Sequence, residues 1–433
     1  MHQVSEMSAF SIKEITKIEG SAGLEVLIED GKVTSVQFAI NEYKRFFTQA
    51  MVGKPIMAIP QMLARICGTC SNAHLMASIE AVEKGFDLKP TEQTKLLRTL
   101  SYHGLIIRDH ALHLYIFVAP DFFGKDSLLA FDENDPVQHD VLHDAFAIKS
   151  VGNHLSILAG GRSVHAPFLM PGGFAKVPEK EEMDKCLEEL KAIRPTILRS
   201  IELFANCPFS FVRETDYIGL KSTPFSYLEG ELWDMNGKIC DESGYRSHLE
   251  HVVIPYSQAS GYTFDGKVFR VGALARVNLN KDAFHPNTLR DAAEALKRFP
   301  SHDVYDNCLA QAIAILHSVD ESIDILSNTT FVKEDLQQIV PRATVGVGVV
   351  EAPRGTLYHK YETDEKGIVT HGEVIVPTGQ NQITIEQDLG KFIQDNLSMD
   401  RDTLGLECEK IIRAYDPCMS CASHFLKLKI REI

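Results

Sequence analysis

Arg65-Ile66-Cys67-Gly68-Thr69-Cys70 stands near the start of this chain, and Asp416-Pro417-Cys418-Met419-Ser420-Cys421 stands near its end. Each Cys-x-x-Cys places two sulfurs within reach of one metal ion. A site drawn from both pairs needs a fold that carries the C-terminal segment back to Cys67, so the whole chain becomes the clamp. Three plainer readings compete. A redox dithiol calls for one pair beside a βαβ unit, and a structural zinc site sets its two knuckles about 15–20 residues apart. Two unrelated pairs are the third. A shared set of four thiolates suits zinc, iron–sulfur, nickel or copper(I). The flanks are alike: a charged residue precedes each pair (Arg65, Asp416), and a histidine follows each (His74, His424). A histidine beside a thiolate site commonly supports the ligands rather than joining them.

Length and composition narrow the field. At 433 residues the chain exceeds the roughly 250–300 residues at which one core stops growing, so it allows two or three domains or one large body with lobes. Hydrophobic content of 44% and charged content of 24% are those of a soluble globular protein. A net charge of −15 argues against nucleic-acid binding, which wants a basic footprint. No secretory signal is visible, and no run approaches the roughly 20 apolar residues of a membrane helix. A cytoplasmic location without membrane insertion is the expectation. Nine cysteines, scattered outside the two pairs, make a poor disulfide framework. Cys186, Cys207, Cys240, Cys308 and Cys408 read as core or surface thiols.

Periodicity predicts an α+β protein, predominantly helical, with a long-helix core and small peripheral sheets. Residues 23–40 read as two strands joined at Asp30-Gly31, a strong hairpin dipeptide. Helical spacing runs over 60–86, where Gly85 can end the helix, and then from a Thr91 cap to about 118. Further helical windows cover 140–159, 180–205, 287–327, 387–396 and 403–414. Residues 215–285, rich in Tyr, Gly, Asp and Ser, read as an irregular β-rich lobe. Residues 343–376 read as strands around turns at Arg354-Gly355 and Lys366-Gly367. No repeat or flexible linker appears, so 1–424 is expected to form one integrated body.

The two cysteine boxes and their histidines resemble the large subunit of a nickel–iron hydrogenase. The resemblance extends through Ile18-Glu19-Gly20 (with Lys17 where arginine is usual), Asp109-His110-Ala111-Leu112-His113, Pro171-Gly172-Gly173, Glu351-Ala352-Pro353-Arg354-Gly355 and Val376-Pro377-Thr378-Gly379-Gln380-Asn381. These boxes span nearly the whole chain, and their combination is far more specific than either Cys-x-x-Cys.

The resemblance implies reversible cleavage of H2 at a nickel–iron centre that carries carbonyl and two cyanide ligands. Cys67 and Cys418 would be terminal nickel ligands, and Cys70 and Cys421 would bridge nickel to iron. Cys418 would be the sulfur base and Glu19 the first proton relay. Arg354 would hang over the metals, fixed by Asp109 and Asp416, with Pro353 beside it and Thr378 donating to a cyanide. Glu42 and His424 would bind a second cation, magnesium or ferrous iron. His74, His110 and His113 would support the site without ligating metal. Residues 425–433 would be a maturation peptide, removed by an endopeptidase after nickel insertion.

Within that family the chain most resembles the cytoplasmic multimeric type. There an iron–sulfur small subunit, with further flavin and iron–sulfur subunits, carries electrons to NAD(P), F420, ferredoxin or a heterodisulfide reductase. The alternatives are a hydrogen-sensing regulator, a complex I-type subunit without hydrogenase activity, and a zinc-stabilised structural protein. Four cysteines argue against the second, and the tail argues against the first.

Overall fold

The computed structural model describes residues 7–42 and 46–423. It opens with an antiparallel meander, β1 (Met7–Ile12), β2 (Ala22–Glu29) and β3 (Lys32–Ile40). Asp30 and Gly31 both adopt left-handed backbone, φ 49° and 72°, as a two-residue I′ hairpin turn demands.

The expected helix over 60–86 is broken. Ile59–Leu63 is α-helical, Ala64–Ile66 is a 3-10 turn, Cys67 is extended, and α1 (Ser71–Phe86) begins only after Cys70. Apolar spacing alone could not reveal the break, because buried Ile59, Leu63, Ala64 and Ile66 carry the apolar pattern up to it. Gly85 lies inside α1, and the left-handed cap is Asp87. Thr91 caps α2 (Glu92–Ala111) by accepting the Thr94 N–H, and the helix continues as a π-helical stretch over Leu112–Val118. Such widened turns occur frequently at functional sites.

Helices α2, α3 (Pro136–Gly160), α4 (Lys180–Ala205) and α5 (Asp306–Asn328) pack as the central bundle. In α4 the buried residues Met183, Cys186, Leu190, Ile193, Ile197, Ile201 and Phe204 recur at helical spacing. Helices α2 and α3 cross almost backbone to backbone: a Cβ on Gly104 would sit 2.5 Å from Ser156 N.

A second sheet carries β4 (Thr344–Ala352), β5 (Gly355–Thr363) and β6 (Val369–Ile375), all antiparallel. Helix α1 lies on it. Gly346 and Gly348 share one face of β4, and a Cβ on either would stand about 2 Å from the Ala81 or Ala77 carbonyl oxygen. Pro353 and Arg354 form the two-residue tip between β4 and β5. Helix α6 (Pro377–Asp395) starts ten residues before the predicted 387, because Pro at its first position and polar inward side chains masked the pattern. Helix α7 (Arg401–Ala414) leads into the second cysteine box.

Residues 215–285 hold short strands, as expected, and also the wholly buried helix Ala273–Asn280. Buried ion pairs tie this lobe to the helical body. Buried Arg270 pairs with Asp388 at 2.8 Å, and buried Arg276 meets Glu351 at 3.2 Å. Among the described residues no helix is long and apolar enough to cross a membrane.

Candidate metal centre

Both cysteine pairs sit where a helix begins. Cys70 is the N-cap residue of α1, where unpaired backbone N–H groups and the helix dipole favour negative charge. Cys418 occupies the same place before the short helix Met419–Ala422. The first pair is held from α2: Arg108 Nη2 donates to Thr69 O at 2.9 Å. The second is held from α6: Cys418 N–H donates to Thr378 Oγ1 at 2.9 Å.

The fold brings all four sulfurs within 4.8 Å of one another. Cys70 and Cys421 Sγ are 2.9 Å apart, Cys418 and Cys421 3.2 Å, and Cys67 and Cys418 3.4 Å. These separations exceed the roughly 2.05 Å of a disulfide, and all four side chains are buried. The thiols are not equivalent. Hydrogen bonding from Cys418 holds Cys67 well below the ordinary thiol value, whereas burial pushes Cys418 and Cys421 well above it. Four soft donors crowded into one buried point fit a shared soft metal centre.

Beside the sulfurs lies a small cavity lined by Cys70, His74, Pro353, Arg354, Thr378 and Cys418, among others. The β4–β5 tip delivers Arg354 there, 4% exposed. Its Nη1 donates to Asp109 Oδ2 at 2.8 Å, and its Nη2 lies 2.9 Å from Asp416 Oδ1. Its buried Nε has no hydrogen-bond partner among the described residues, so a donor is left over beside the cavity for a small anionic group. Asp416, in left-handed backbone at φ 52°, is also gripped by Gln311 Nε2 at 2.9 Å. His113 spans Gln311 Oε1 and Arg413 O at 2.6 and 2.7 Å. His110 is buried with neither ring nitrogen paired among the described residues, and burial holds it far below its ordinary value, hence neutral.

Glu19 arrives from the N-terminal loop. Its backbone bridges Cys418, its carbonyl accepts Met419 N–H at 3.0 Å, and its Oε2 lies 3.1 Å from both Cys418 Sγ and Ser420 N. Gly20, at φ 85°, leaves room for this: a Cβ there would stand 2.7 Å from Met419 Cβ. Half-buried Glu42 lies beside Gly20, 3.0 Å from that same point. His424 and residues 425–433 lie outside the described residues.

His74 was named as a support from sequence, but its partners and several other supports were not. His74 Nε2 lies 3.6 Å from Cys421 Sγ, and its Nδ1 lies 3.1 Å from His359 Nε2. The chain of contacts continues through Tyr361 OH to Ser78 Oγ. His359 and Tyr361 alternate on the helix-facing side of β5, a period-2 signal available in the sequence. Lys17 donates to Asp121 at 2.6 Å, and Arg413 grips the same carboxylate and Thr16 O, so the loop bearing Glu19 is moored to α7.

The profile of the nickel-dependent hydrogenase family matches residues 45–141 and 242–424. The alpha subunit of sulfhydrogenase 2 from Pyrococcus furiosus is 33% identical over 423 residues, covering 96% of this chain and 99% of its own. A subunit of the vhu F420-non-reducing hydrogenase from Methanocaldococcus jannaschii is 29% identical, covering 90% and 99%. Among solved structures, an NAD+-reducing nickel–iron hydrogenase in its H2-reduced state superposes with a TM-score of 0.85 at 24% identity, covering 96% and 99%.

Proposed function

Since the chain belongs to the nickel-dependent hydrogenase family, we propose that its four-sulfur centre and the groups around it perform the family's chemistry, with the roles that follow. The chain is the large subunit of a nickel–iron hydrogenase, an oxidoreductase that cleaves H2 reversibly into protons and electrons. The observation that carries the assignment of roles is the convergence of Cys67, Cys70, Cys418 and Cys421 with a carboxylate, Glu19, 3.1 Å from one of the sulfurs.

Cys67 and Cys418 would be terminal on nickel, and Cys70 and Cys421 would bridge it to iron. When bound, that centre supplies the Lewis acidity and electron storage that heterolysis of H2 requires. The proton side belongs to the chain. Cys418 Sγ accepts the proton and passes it to Glu19 Oε2, which the Ser420 N–H keeps in place. Glu19 is half-buried and so leads outward from a dry pocket. Arg354 Nε and the Thr378 hydroxyl offer donors to the small anionic cyanide ligands of the iron. Asp109 and Asp416 fix the guanidinium so that it need not reorganise during turnover.

Electrons leave through an iron–sulfur small subunit, a reading that the multi-subunit naming of the relatives supports. Flavin and iron–sulfur subunits beyond it, a cytoplasmic location, and a second hard cation held by Glu42 and His424 belong to the same proposal. So does release of residues 425–433 by an endopeptidase from a body spanning 1–424.

Infrared spectroscopy with elemental analysis of the purified complex tests the reading. Carbonyl and cyanide bands with one nickel per chain are expected, alongside H2-dependent dye reduction. Zinc in place of nickel with no such bands overturns it.

A further inference from the structure

Two clusters outside the sulfur centre also bring ligand atoms of histidine and carboxylate within 4.8 Å of one another: His103, His317 and Glu321, and Glu133, His139 and His143. The first, buried between α2 and α5, fails a proton count. The His285 backbone N–H donates to His317 Nδ1 at 3.1 Å, so a neutral His317 carries its own proton on Nε2. That nitrogen lies 3.2 Å from Glu321 Oε2. A metal would need a lone pair there, and the ring has none to give. The cluster is a set of short side-chain contacts, not a ligand set.

The second cluster passes the same count. His139 and His143 stand four residues apart on α3, hence on one face, with ring centroids 4.2 Å apart. Neither ring has a hydrogen-bond partner among the described residues. Each can therefore turn its proton to water and its lone pair to a shared ion.

Glu133 enters from the preceding turn, which is pinned on both sides. Asp135 accepts the Val137 and Gln138 N–H groups at 2.9 and 3.1 Å. Gln138 Oε1 accepts the Asp132 N–H at 3.0 Å, and Asp132 Oδ1 accepts the Asn134 N–H at 2.9 Å. The backbone that carries Glu133 thus has little freedom left to lose on binding. Two imidazoles and one carboxylate are a donor set of zinc-class ions, whereas magnesium and calcium prefer oxygen alone. The set is also chemically distinct from four buried thiolates.

We propose that Glu133, His139 and His143 form a surface site for a borderline divalent transition ion of the zinc class. Three protein ligands leave the fourth position to water, so the ion is exchangeable and staples the turn at 131–135 to the first two turns of α3. Removing even an outer partner of a ligand typically weakens metal binding by about 10–100-fold, so losing a ligand costs at least that much.

The test uses the intact enzyme with its partner subunits, dialysed against a chelator and titrated with Zn2+ in competition with a chromophoric chelator. One exchangeable equivalent is expected. His139→Ala and His143→Ala should each weaken it at least tenfold, with nickel content and H2 oxidation unchanged. His317→Gln should leave it intact. No exchangeable equivalent, or one that survives both surface substitutions, overturns the proposal. So does its loss in His317→Gln.

Discussion

Arg354→Lys separates the positive charge at the centre from its geometry. Arginine serves two buried carboxylates at once, with Nη1 2.8 Å from Asp109 Oδ2 and Nη2 2.9 Å from Asp416 Oδ1. Lysine keeps the charge, but its ammonium is a single point that can meet only one of them well. The loss is then one charge-assisted contact, about 1.5–3 kcal/mol. At 1.36 kcal/mol per factor of ten, H2 oxidation should fall by about 10- to 150-fold. Because Asp109 and Asp416 still face a cation, nickel and iron should remain bound. Arg354→Met goes further. It leaves both carboxylates buried and uncompensated at a cost of about 3–5 kcal/mol, and metal should be lost with activity. The assay is H2-dependent reduction of a viologen dye, with nickel and iron counted on the same sample. Parent-like turnover in Arg354→Lys, or metal and activity both surviving in Arg354→Met, would take the guanidinium out of the chemistry.

Glu19→Gln keeps an acceptor for the Ser420 N–H and should fold with nickel bound, yet lose about 100- to 10,000-fold in turnover because an amide cannot take the proton; undiminished H2 oxidation would remove Glu19 from the proton route. Thr378→Val matches the shape but leaves the buried Cys418 N–H without its acceptor, a cost of about 1–3 kcal/mol that should appear as a lower Tm and lower nickel occupancy; a variant matching the parent in both refutes the contact. Burial pushes Glu386 up to about 7, against hydrogen bonds from Tyr256 and the Phe38 N–H. Its folded value lies above the ordinary 4.5, so its stabilising contribution is complete below about pH 4.5 and is lost as pH rises through 7. The Tm of the parent relative to Glu386→Gln should therefore drop between pH 5 and 7.5, and a difference that stays level across that range counts against it.

The parts of the fold legible in sequence were those with a local cause. Asp30-Gly31 announces its hairpin because two successive left-handed residues are tolerable there and at few other dipeptides. Helix α4 matches its predicted span because one of its faces is apolar and the other charged. What escaped had a tertiary cause. The break at Cys67 follows buried apolar residues, Leu63, Ala64 and Ile66, that carry the helical spacing up to it. The first half of α6 carries Gln380, Asn381, Gln382 and Thr384 turned inward, so its apolar pattern shows only from 387. Those side chains are spent on backbone groups of distant strands: Gln382 donates to Phe38 O and Asn381 to Val271 O. At the site, motif residues could be named one by one. The moorings could not, because Lys17, Asp121, Arg413 and Gln311 meet only after the chain ends converge.

That convergence bears on when the centre can be assembled. Each cysteine pair has its own supports, α2 for the first, and α6 with the Glu19 loop for the second, so neither depends on the other pair for its backbone path. The sulfurs do depend on one another. Burial raises Cys418 and Cys421 while Cys418 lowers Cys67, so in the protein without its cation the group holds protons that four ligating thiolates would have to release. Asp109 and Asp416 together outweigh the single charge of Arg354, so that trio offers no spare positive charge. A full set of thiolates is therefore tolerable only with a multivalent cation among them, whereas the protonated set is tolerable without one. The same scaffold accommodates both states, so the fold brings the four sulfurs together without a cation among them.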